Sequence, residues 1–336
     1  MRIRLTVPAV ILCLVVAGCT HRPSEAINPA ARTYLNHALD LLQQNSLDTG
    51  SVDWPKTRAA ALRMATNARN PNQTYPAIKW AIQQLHNPHT KFLSPTTAAE
   101  SANRSTPSQG PPTGRLLPDG HALLTIPTAD GGADSYVSNG VRVLRDLDRS
   151  RPCGWIVDLR TNHGGGMGPM LTVLAPLMTP ANTLGYFVYP SGKRTPWTLR
   201  HGQLFIGDQA DSPQTNPYRL SRSAPPVAIL TGAPTASAAE ATLISFRGQS
   251  NVRSFGRPTA GYASANDTYP LSDGAYLQLT VANEADRTGH VYPDHTPIPP
   301  DQSTPDPPLS GSASPPDPGL AAATRWLSAT ASCRQK

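Results

Sequence analysis

The chain has 336 residues, a formal net charge of +7, 6% aromatic and 15% charged residues, and 36 prolines. This length is sufficient for one large domain together with a smaller one. The positive charge is spread along the chain without a Lys/Arg cluster or a basic helix, which argues against a nucleic-acid partner.

Residues 1–18 have the pattern of a signal peptide. A positive start, Met1–Arg4, precedes an apolar stretch, Leu5–Val16, that suits a signal peptide rather than a membrane-spanning helix. Cys19 follows two small residues, as in the bacterial lipoprotein box, and the pattern predicts a lipid anchor at Cys19. A plain secretory signal with an incidental cysteine is the alternative. We therefore expect a membrane-anchored protein of the cell envelope that faces the periplasm.

Residues 28–97 show the periodicity of helices. Tyr34, Leu35 and Ala38 fall on one face of a first helix, and Ile78 and Ile82 on one face of a later one. Residues 98–113 are polar and rich in Pro and Ser, a composition typical of a linker.

Strands and helices alternate after this linker. A strand over 122–127 and a helix over 135–147 are followed by a strand ending at Asp158 and then by Gly164–Gly166. Consecutive glycines allow backbone N–H groups to approach a ligand closely. A tight turn or a phosphate-binding loop is the alternative, but neither the P-loop lysine nor the spaced dinucleotide glycines are present.

Ser237 lies in a second junction of this kind. The apolar run Pro226–Leu230 predicts a buried strand, and the Ala-rich stretch 238–246 predicts a helix, which places Ser237 at the helix N-terminus. An ordinary N-cap serine is one interpretation. The other is a nucleophile, because free N–H groups and the helix dipole favour an oxyanion there.

The end of the chain adds a predicted hairpin over 267–281, turned at 272–274, and a closing helix over 319–331. Cys13 is removed with the signal peptide and Cys19 is the predicted lipidation site, so Cys153 and Cys333 remain as possible free thiols. They could pair in an oxidising compartment, but their spacing does not decide whether they meet.

Two motifs together carry a family resemblance. Asp158-Leu159-Arg160-Thr161-Asn162-His163-Gly164-Gly165 resembles D-L-R-x-N-x-G-G, and Thr235–Glu240, followed by Gly256–Gly261, resembles T-A-S-A-x-E and G-x-x-T-A-G. The chain is similar to the carboxyl-terminal (tail-specific) processing serine peptidases, which include the tricorn core. The resemblance implies an α/β fold with a ClpP/crotonase-like core and an N-terminal helical domain. The PDZ domain of many relatives has no space here.

The implied organisation divides the chain into six parts. These are a lipoprotein signal peptide (1–18), a tether (19–27), an N-terminal helical domain (28–97), a linker (98–113), a serine peptidase core (114–310) and a C-terminal tail with a short helix (311–336).

The resemblance implies that Ser237 is the nucleophile and leaves its base to be found. One branch of the family uses a lysine after the T-A-G turn, but Tyr262 occupies that position here. A phenol ionises near pH 10 and is a poor general base at neutral pH. The tricorn-like branch uses a histidine in the segment that matches Pro88-His89-Thr90. His89 is therefore the predicted base, since an imidazole titrates near pH 6.5, with a structural docking role as the alternative.

The remaining site residues follow from the same resemblance. The tricorn-type site has a serine before its histidine, where this chain has Pro88, and a distant acid that orients the histidine. Counting back from Pro300-Asp301 gives Asp294 as that acid, with Glu284 and Asp286 as rivals. The predicted oxyanion hole consists of the N–H of Gly164 or Gly165 and that of Ala238.

The sequence thus predicts a serine endopeptidase that cleaves peptides or unfolded proteins, with no cofactor and no metal. His86 and His89 form a histidine pair, but no H-E-x-x-H pattern or third ligand accompanies them. The alternatives are a catalytically degenerate lipoprotein that binds peptides or lipids, and an envelope scaffold.

Overall fold

The computed structural model describes residues 26–103, 107–178, 183–306 and 317–334. The predicted signal peptide and the lipidation site Cys19 lie outside the described residues. Within the described ranges, none of the helices combines the length and the apolar character needed to cross a bilayer.

Helices and strands alternate along most of the described chain. The helices are α1 (Pro29–Asn45), α2 (Trp54–Met64), α3 (Tyr75–Gln83), α4 (Pro95–Ala102), α5 (Ala133–Asp148), α6 (Met167–Leu174), α7 (Ala238–Phe246), α8 (Pro318–Ser328) and α9 (Ala331–Arg334). The strands are β1 (Lys91–Leu93), β2 (Thr113–Leu116), β3 (Ala122–Thr125), β4 (Trp155–Asp158), β5 (Gly185–Val188), β6 (Arg194–Arg200), β7 (Gln203–Ile206), β8 (Gln209–Ala210), β9 (Val227–Thr231), β10 (Val252–Gly256), β11 (Ser264–Pro270), β12 (Tyr276–Asp286), β13 (Val291–Tyr292) and β14 (Gln302–Ser303).

A mainly parallel sheet forms the centre of the fold, in the order β14-β10-β9-β4-β3-β2, with β2 antiparallel to β3. The central strands β3, β4 and β9 are mostly apolar and buried because both of their faces are covered. In β9, Val227 and Ile229 pack with the helices α5–α7, whereas Ala228 and Leu230 pack against α8 on the other face. This alternation follows from the two-residue period of a strand.

A second, antiparallel sheet has the order β1-β12-β5-β6-β7-β8, and β11 and β13 also pair with β12. The β11–β12 hairpin pairs Pro270 with Tyr276, so its turn lies where the sequence predicts it. The strands β5–β8 fall in a stretch for which the sequence pattern predicts no element. β12 is the centre of this sheet and connects it to several parts of the site.

The helical segment α1–α3 packs directly onto the antiparallel sheet. The hydroxyl groups of Tyr34 and Tyr75 both donate to the carboxylate of Asp273 in the hairpin turn. The buried residues of these helices belong to the same apolar cluster as those of the two sheets. β1 pairs with β12 immediately after this segment, so His89 is held between the helices and the sheet.

The segment between the helices and the core is short. α4 begins within the predicted helical domain and continues into the predicted linker, and β2 follows at Thr113. This spacing leaves no space for a PDZ domain of roughly 80–100 residues.

Cys153 and Cys333 form a disulfide across 180 residues of sequence. It fixes the C-terminal helices to the loop before β4.

Candidate active site

Ser237 occupies a strained turn between β9 and α7. Its φ is +55° and its ψ is −123°, a conformation that residues with a side chain rarely adopt. Such strain persists only where the surrounding contacts impose it. Ala238 begins the helix and carries a backbone N–H that has no acceptor among the described residues.

Glu240 imposes this conformation through its buried carboxylate. Oε2 accepts hydrogen bonds from the N–H of Ser237 (2.9 Å) and of Tyr262 (2.7 Å). Oε1 accepts from the N–H of Gly261 (2.9 Å) and from the Thr259 hydroxyl. Burial raises the pKa of Glu240, and these hydrogen bonds counteract it. The E of T-A-S-A-x-E therefore joins the Ser237 turn to the T-A-G loop.

Asn162 joins the same turn to the glycine loop. Its side-chain amide donates to the carbonyl groups of Ile126 (2.9 Å) and Pro127 (3.0 Å), and its backbone carbonyl accepts from the N–H of Ala236 (3.1 Å). Its Oδ1 accepts from the N–H of Gly164 (2.7 Å). The Asn of the D-L-R-x-N motif is thus a fully bonded structural residue.

Neither Gly164 nor Gly165 could carry a side chain without a steric clash. Gly164 has a φ of +102°, and a Cβ there would lie 2.9 Å from Ser237 Cβ; at Gly165, with a φ of +103°, a Cβ would lie 2.4 Å from the Ala129 carbonyl oxygen. The N–H of Gly164 is already bonded to Asn162, whereas that of Gly165 has no acceptor among the described residues. Of the two predicted glycine donors, Gly165 is therefore the one with a free N–H.

His89 is part of a hydrogen-bond chain with two residues from the far end of the core. Its Nδ1 lies 3.0 Å from Ser264 Oγ, and Ser264 Oγ lies 3.0 Å from Asp294 Oδ1. Since a carboxylate only accepts, Ser264 donates to Asp294 and accepts from the Nδ1–H of His89. This arrangement leaves the Nε2 of His89 with a lone pair. Ser264 lies outside the motif residues and was not a predicted site residue.

The protonation equilibrium of His89 depends on its burial. Desolvation lowers the pKa of the imidazole to about 4, the Asp294 carboxylate opposes this shift, and Lys91 and His295 add to it. The imidazole is consequently neutral at pH 7, the state that a general base needs.

Asn87, which precedes Pro88 and His89, connects three groups near the site through its side chain. Its side-chain amide donates to Asp48 Oδ2 (2.6 Å) and to Asp294 Oδ2 (2.9 Å), and its Oδ1 accepts from the N–H of His89 (2.9 Å). A third carboxylate between Asp48 and Asp294 would repel both, whereas an amide bonds to both. Asn87 thereby holds the position of Asp294 and of the His89 backbone.

Three other residues considered in the sequence analysis are not part of the hydrogen-bond chain from His89 through Ser264 to Asp294. These are Tyr262, Asp286 and Glu284. The Tyr262 ring packs against the His89 ring, with 5.4 Å between their centroids. Asp286 accepts from Thr288 and from the Tyr292 hydroxyl within its own turn. Glu284 lies in the cleft wall but is not bonded to His89.

Ser237 and His89 open into one cleft of about 1000 Å³. Pro88, His163, Gly165, Ala238, Tyr262, Ser264 and Glu284 also line it. Among the described residues, no hydrogen bond joins His89 to Ser237. Catalytic hydrogen bonds are often long without substrate and shorten in the complex, so this geometry is compatible with a base that acts on Ser237.

Two groups of metal-ligand residue types occur in the described ranges. One contains His121 with Cys153 and Cys333, and the other contains Asp48, Asp294 and His295. The cysteines of the first are joined as a disulfide, and Asn87 bridges the two carboxylates of the second. Neither group includes the predicted histidine pair His86 and His89.

A profile of peptidase family S41 matches residues 121–304, more than half of the chain. The chain belongs to peptidase family S41. The motif-based family prediction is therefore confirmed, as is the α/β core with an N-terminal helical region.

Two curated proteins match about two thirds or more of this chain. It is 33% identical over 280 residues to the nisin-resistance protein of Lactococcus lactis subsp. lactis, which covers 83% of this chain and 85% of that protein. It is 28% identical over 233 residues to the chloroplastic carboxyl-terminal-processing peptidase 2 of Arabidopsis thaliana, covering 66% of this chain and 40% of that protein.

Two solved structures share this fold. A lipoprotein from Streptococcus agalactiae superposes with a TM-score of 0.72 at 29% identity and covers 89% of this chain and 96% of its own. The photosystem II D1 C-terminal processing protease shares the fold, with a TM-score of 0.60 at 16% identity over 91% of this chain and 99% of its own.

Proposed function

We propose that this S41 member is a serine endopeptidase in which Ser237 attacks the substrate carbonyl and His89 takes its proton. The observation that carries the proposal is the hydrogen-bond chain from His89 through Ser264 to Asp294, in the cleft that also contains Ser237. A serine hydroxyl is a weak nucleophile until an adjacent base accepts its proton. The free Nε2 of His89 supplies that base.

Asp294 acts on the reaction through Ser264. When Nε2 accepts the Ser237 proton, the imidazole becomes positive in a buried position, which desolvation disfavours. The Asp294 carboxylate raises the pKa of His89 against that desolvation. Ser264 fixes the tautomer and transmits this stabilisation, so it takes the part of the serine that Pro88 cannot provide.

The tetrahedral oxyanion is held by the N–H groups of Gly165 and Ala238. Both residues line the cleft, both N–H groups lack an acceptor among the described residues, and Ala238 N is at the start of α7. Preorganised backbone donors of this kind stabilise the developing charge. Gly164 supports them by its bond to Asn162 and does not donate itself.

The proposed substrates are peptides or unfolded proteins in the cell envelope. The cleft is open and about 1000 Å³ in volume, which suits an extended segment. The relative from Lactococcus lactis is named for resistance to nisin, so nisin is the first compound to incubate with the purified protein. Mass spectrometry of the products would identify the cleaved bond.

Labelling with a fluorophosphonate probe tests the nucleophile. The folded wild-type protein should be labelled at Ser237, whereas Ser237→Ala and heat-unfolded wild type should not. His89→Ala should label much more slowly because its Ser237 is no longer deprotonated. Absence of labelling in the folded wild type would contradict the proposal.

The second candidate is a peptide-binding lipoprotein without hydrolytic activity. The missing hydrogen bond between His89 and Ser237 among the described residues favours it. It predicts that a peptide binds in the cleft, is recovered intact, and leaves Ser237 unlabelled.

We also propose that the protein is anchored at the membrane through Cys19. Cys19→Ala should remove the lipid and leave the protein unprocessed or soluble, as metabolic labelling with a fatty-acid analogue and fractionation would show. Incorporation of lipid by Cys19→Ala would contradict this assignment.

A further inference from the structure

Glu284 is a buried acid in the wall of the cleft. It is on β12, opposite Phe187 of β5, and its N–H donates to the carbonyl of Ala263 (3.0 Å). The residue is only 2% exposed, yet it lines the cleft that contains Ser237. The residue therefore borders the space that a substrate would occupy.

Among the described residues, the Glu284 carboxyl group has no hydrogen-bond or ion-pair partner. Oε2 is fully buried without a hydrogen bond, and no hydrogen bond or ion pair reaches either oxygen within the described ranges. A buried polar group without a partner is costly, and a buried acid more so. Burial raises the pKa of Glu284 well above its ordinary value, and the nearby Glu240 and Asp294 add to the shift. A positive charge placed beside this carboxyl group would favour its ionised form.

Unlike Glu284, the neighbouring acids Glu240 and Asp294 have hydrogen-bond partners. Glu240 accepts from backbone and hydroxyl groups, and Asp294 accepts from Ser264 and Asn87. These hydrogen bonds indicate that Glu240 and Asp294 support the structure of the site. Since Asp294 already reaches His89 through Ser264, Glu284 is not required to orient the base.

The surroundings of Glu284 suit a long side chain with a charged end. Ala238 and Ala241 are one helical turn apart on α7 and both line the cleft, as do Phe187 and Met167. Lysine and arginine bury their methylene stems against such apolar surfaces while the charged group meets a polar partner.

We propose that Glu284 is the charged end of a substrate subsite beside Ser237 that takes a lysine or arginine side chain. The inference rests on the proposed peptidase function and names its substrate class as cationic peptides. Two other acidic residues, Asp211 and Asp267, line the same cleft, and Lys91 is the one lysine or arginine among the described lining residues. This majority of acids also favours a cationic peptide.

The test compares two fluorogenic peptides that differ only in lysine or norleucine at the residue before the cleaved bond. Norleucine keeps the methylene stem and removes the charge. Wild type should prefer the lysine peptide by about 10²-fold in kcat/KM, in the range of a desolvated charge pair. Glu284→Gln should reduce this ratio to less than threefold, whereas Glu100→Gln, at an exposed acid on α4 outside the cleft, should keep it.

Three results would overturn the proposal. These are a wild-type ratio near one, an unchanged ratio in Glu284→Gln, or an equal loss on both peptides in a Glu284→Gln protein that melts at the wild-type temperature. The last would indicate a general role in catalysis.

A binding measurement separates this inference from the proposed function. Calorimetry with Ser237→Ala should show tighter binding of the lysine peptide than of the norleucine peptide, and the double variant Ser237→Ala/Glu284→Gln should lose the difference. This result supports the subsite even if wild type cleaves neither peptide. Equal affinities in Ser237→Ala would overturn it.

Discussion

The two halves of the site are built in different ways. Ser237, with Glu240 and the glycine loop, lies at the ends of adjacent parallel strands, and short motifs connect its parts. His89 lies after a helical segment, and its partners Ser264 and Asp294 are 175 and 205 positions away in sequence. The half that contains Ser237, the proposed nucleophile (the nucleophile half), is therefore held by motif residues. The half that contains His89, the proposed base (the base half), forms only when the helices dock on β11 and β12.

This difference predicts that the two halves fail differently. Damage to the nucleophile half should affect folding, because its polar groups are buried and mutually bonded. Damage to the base half should affect turnover and its pH dependence while the fold persists.

The largest effect is expected from Glu240→Gln. The amide would place a donor against backbone N–H groups that now donate to Glu240, and each buried donor left without an acceptor costs about 1–3 kcal/mol. We expect a loss of about 2–4 kcal/mol of unfolding free energy together with activity. Urea denaturation measures it, with Glu100→Gln on the surface of α4 as the control. A wild-type midpoint for Glu240→Gln would show that its bonds do not hold the turn.

His89→Ala should leave the fold intact and reduce turnover by about 10² to 10⁴-fold, the range for a general base. Tyr262→Phe should reduce it much less, because the Tyr262 ring packs on His89 without a bond to its nitrogens. Steady-state kinetics on one peptide substrate would rank the two variants. The reverse order would remove His89 as the base.

Ser264→Ala should reduce kcat by roughly 5 to 150-fold, equivalent to a hydrogen bond of about 1–3 kcal/mol. KM should change little, since Ser264 acts through His89. Ser264→Thr keeps a hydroxyl and should recover part of the rate. If Ser264→Ala matched wild type, Asp294 would not act through this residue.

The smallest effect is expected on the pH profile. Activity should fall as pH drops through the pKa of His89, about 4, because a protonated imidazole cannot accept a proton. Lys91 lowers this pKa and Asp294 raises it. Lys91→Met should therefore move the acid limb of kcat/KM to higher pH, and Asp294→Asn should move it to lower pH. Shifts in the same direction for both variants would contradict the electrostatic assignment.

The fold followed from the sequence where periodicity was strong. The strand at 226–230, the helix at 238–246 and the hairpin turned at 272–274 lie close to their predicted positions, because apolar runs and turn residues determine local structure. The strands β5–β8 were missed because β6 and β8 are mostly half-buried or exposed, and β5 and β7 have only four residues each, too few for a clear period.

The sequence by itself determined the family and the residues of the nucleophile half, since their roles depend on neighbours a few positions away. Tertiary structure decided which glycine keeps a free N–H, because Asn162 occupies that of Gly164. It also decided that Ser264 lies between His89 and Asp294, and that Glu284 has no partner among the described residues. Those facts depend on which strands pair, and no local pattern records contacts across 175 residues of sequence.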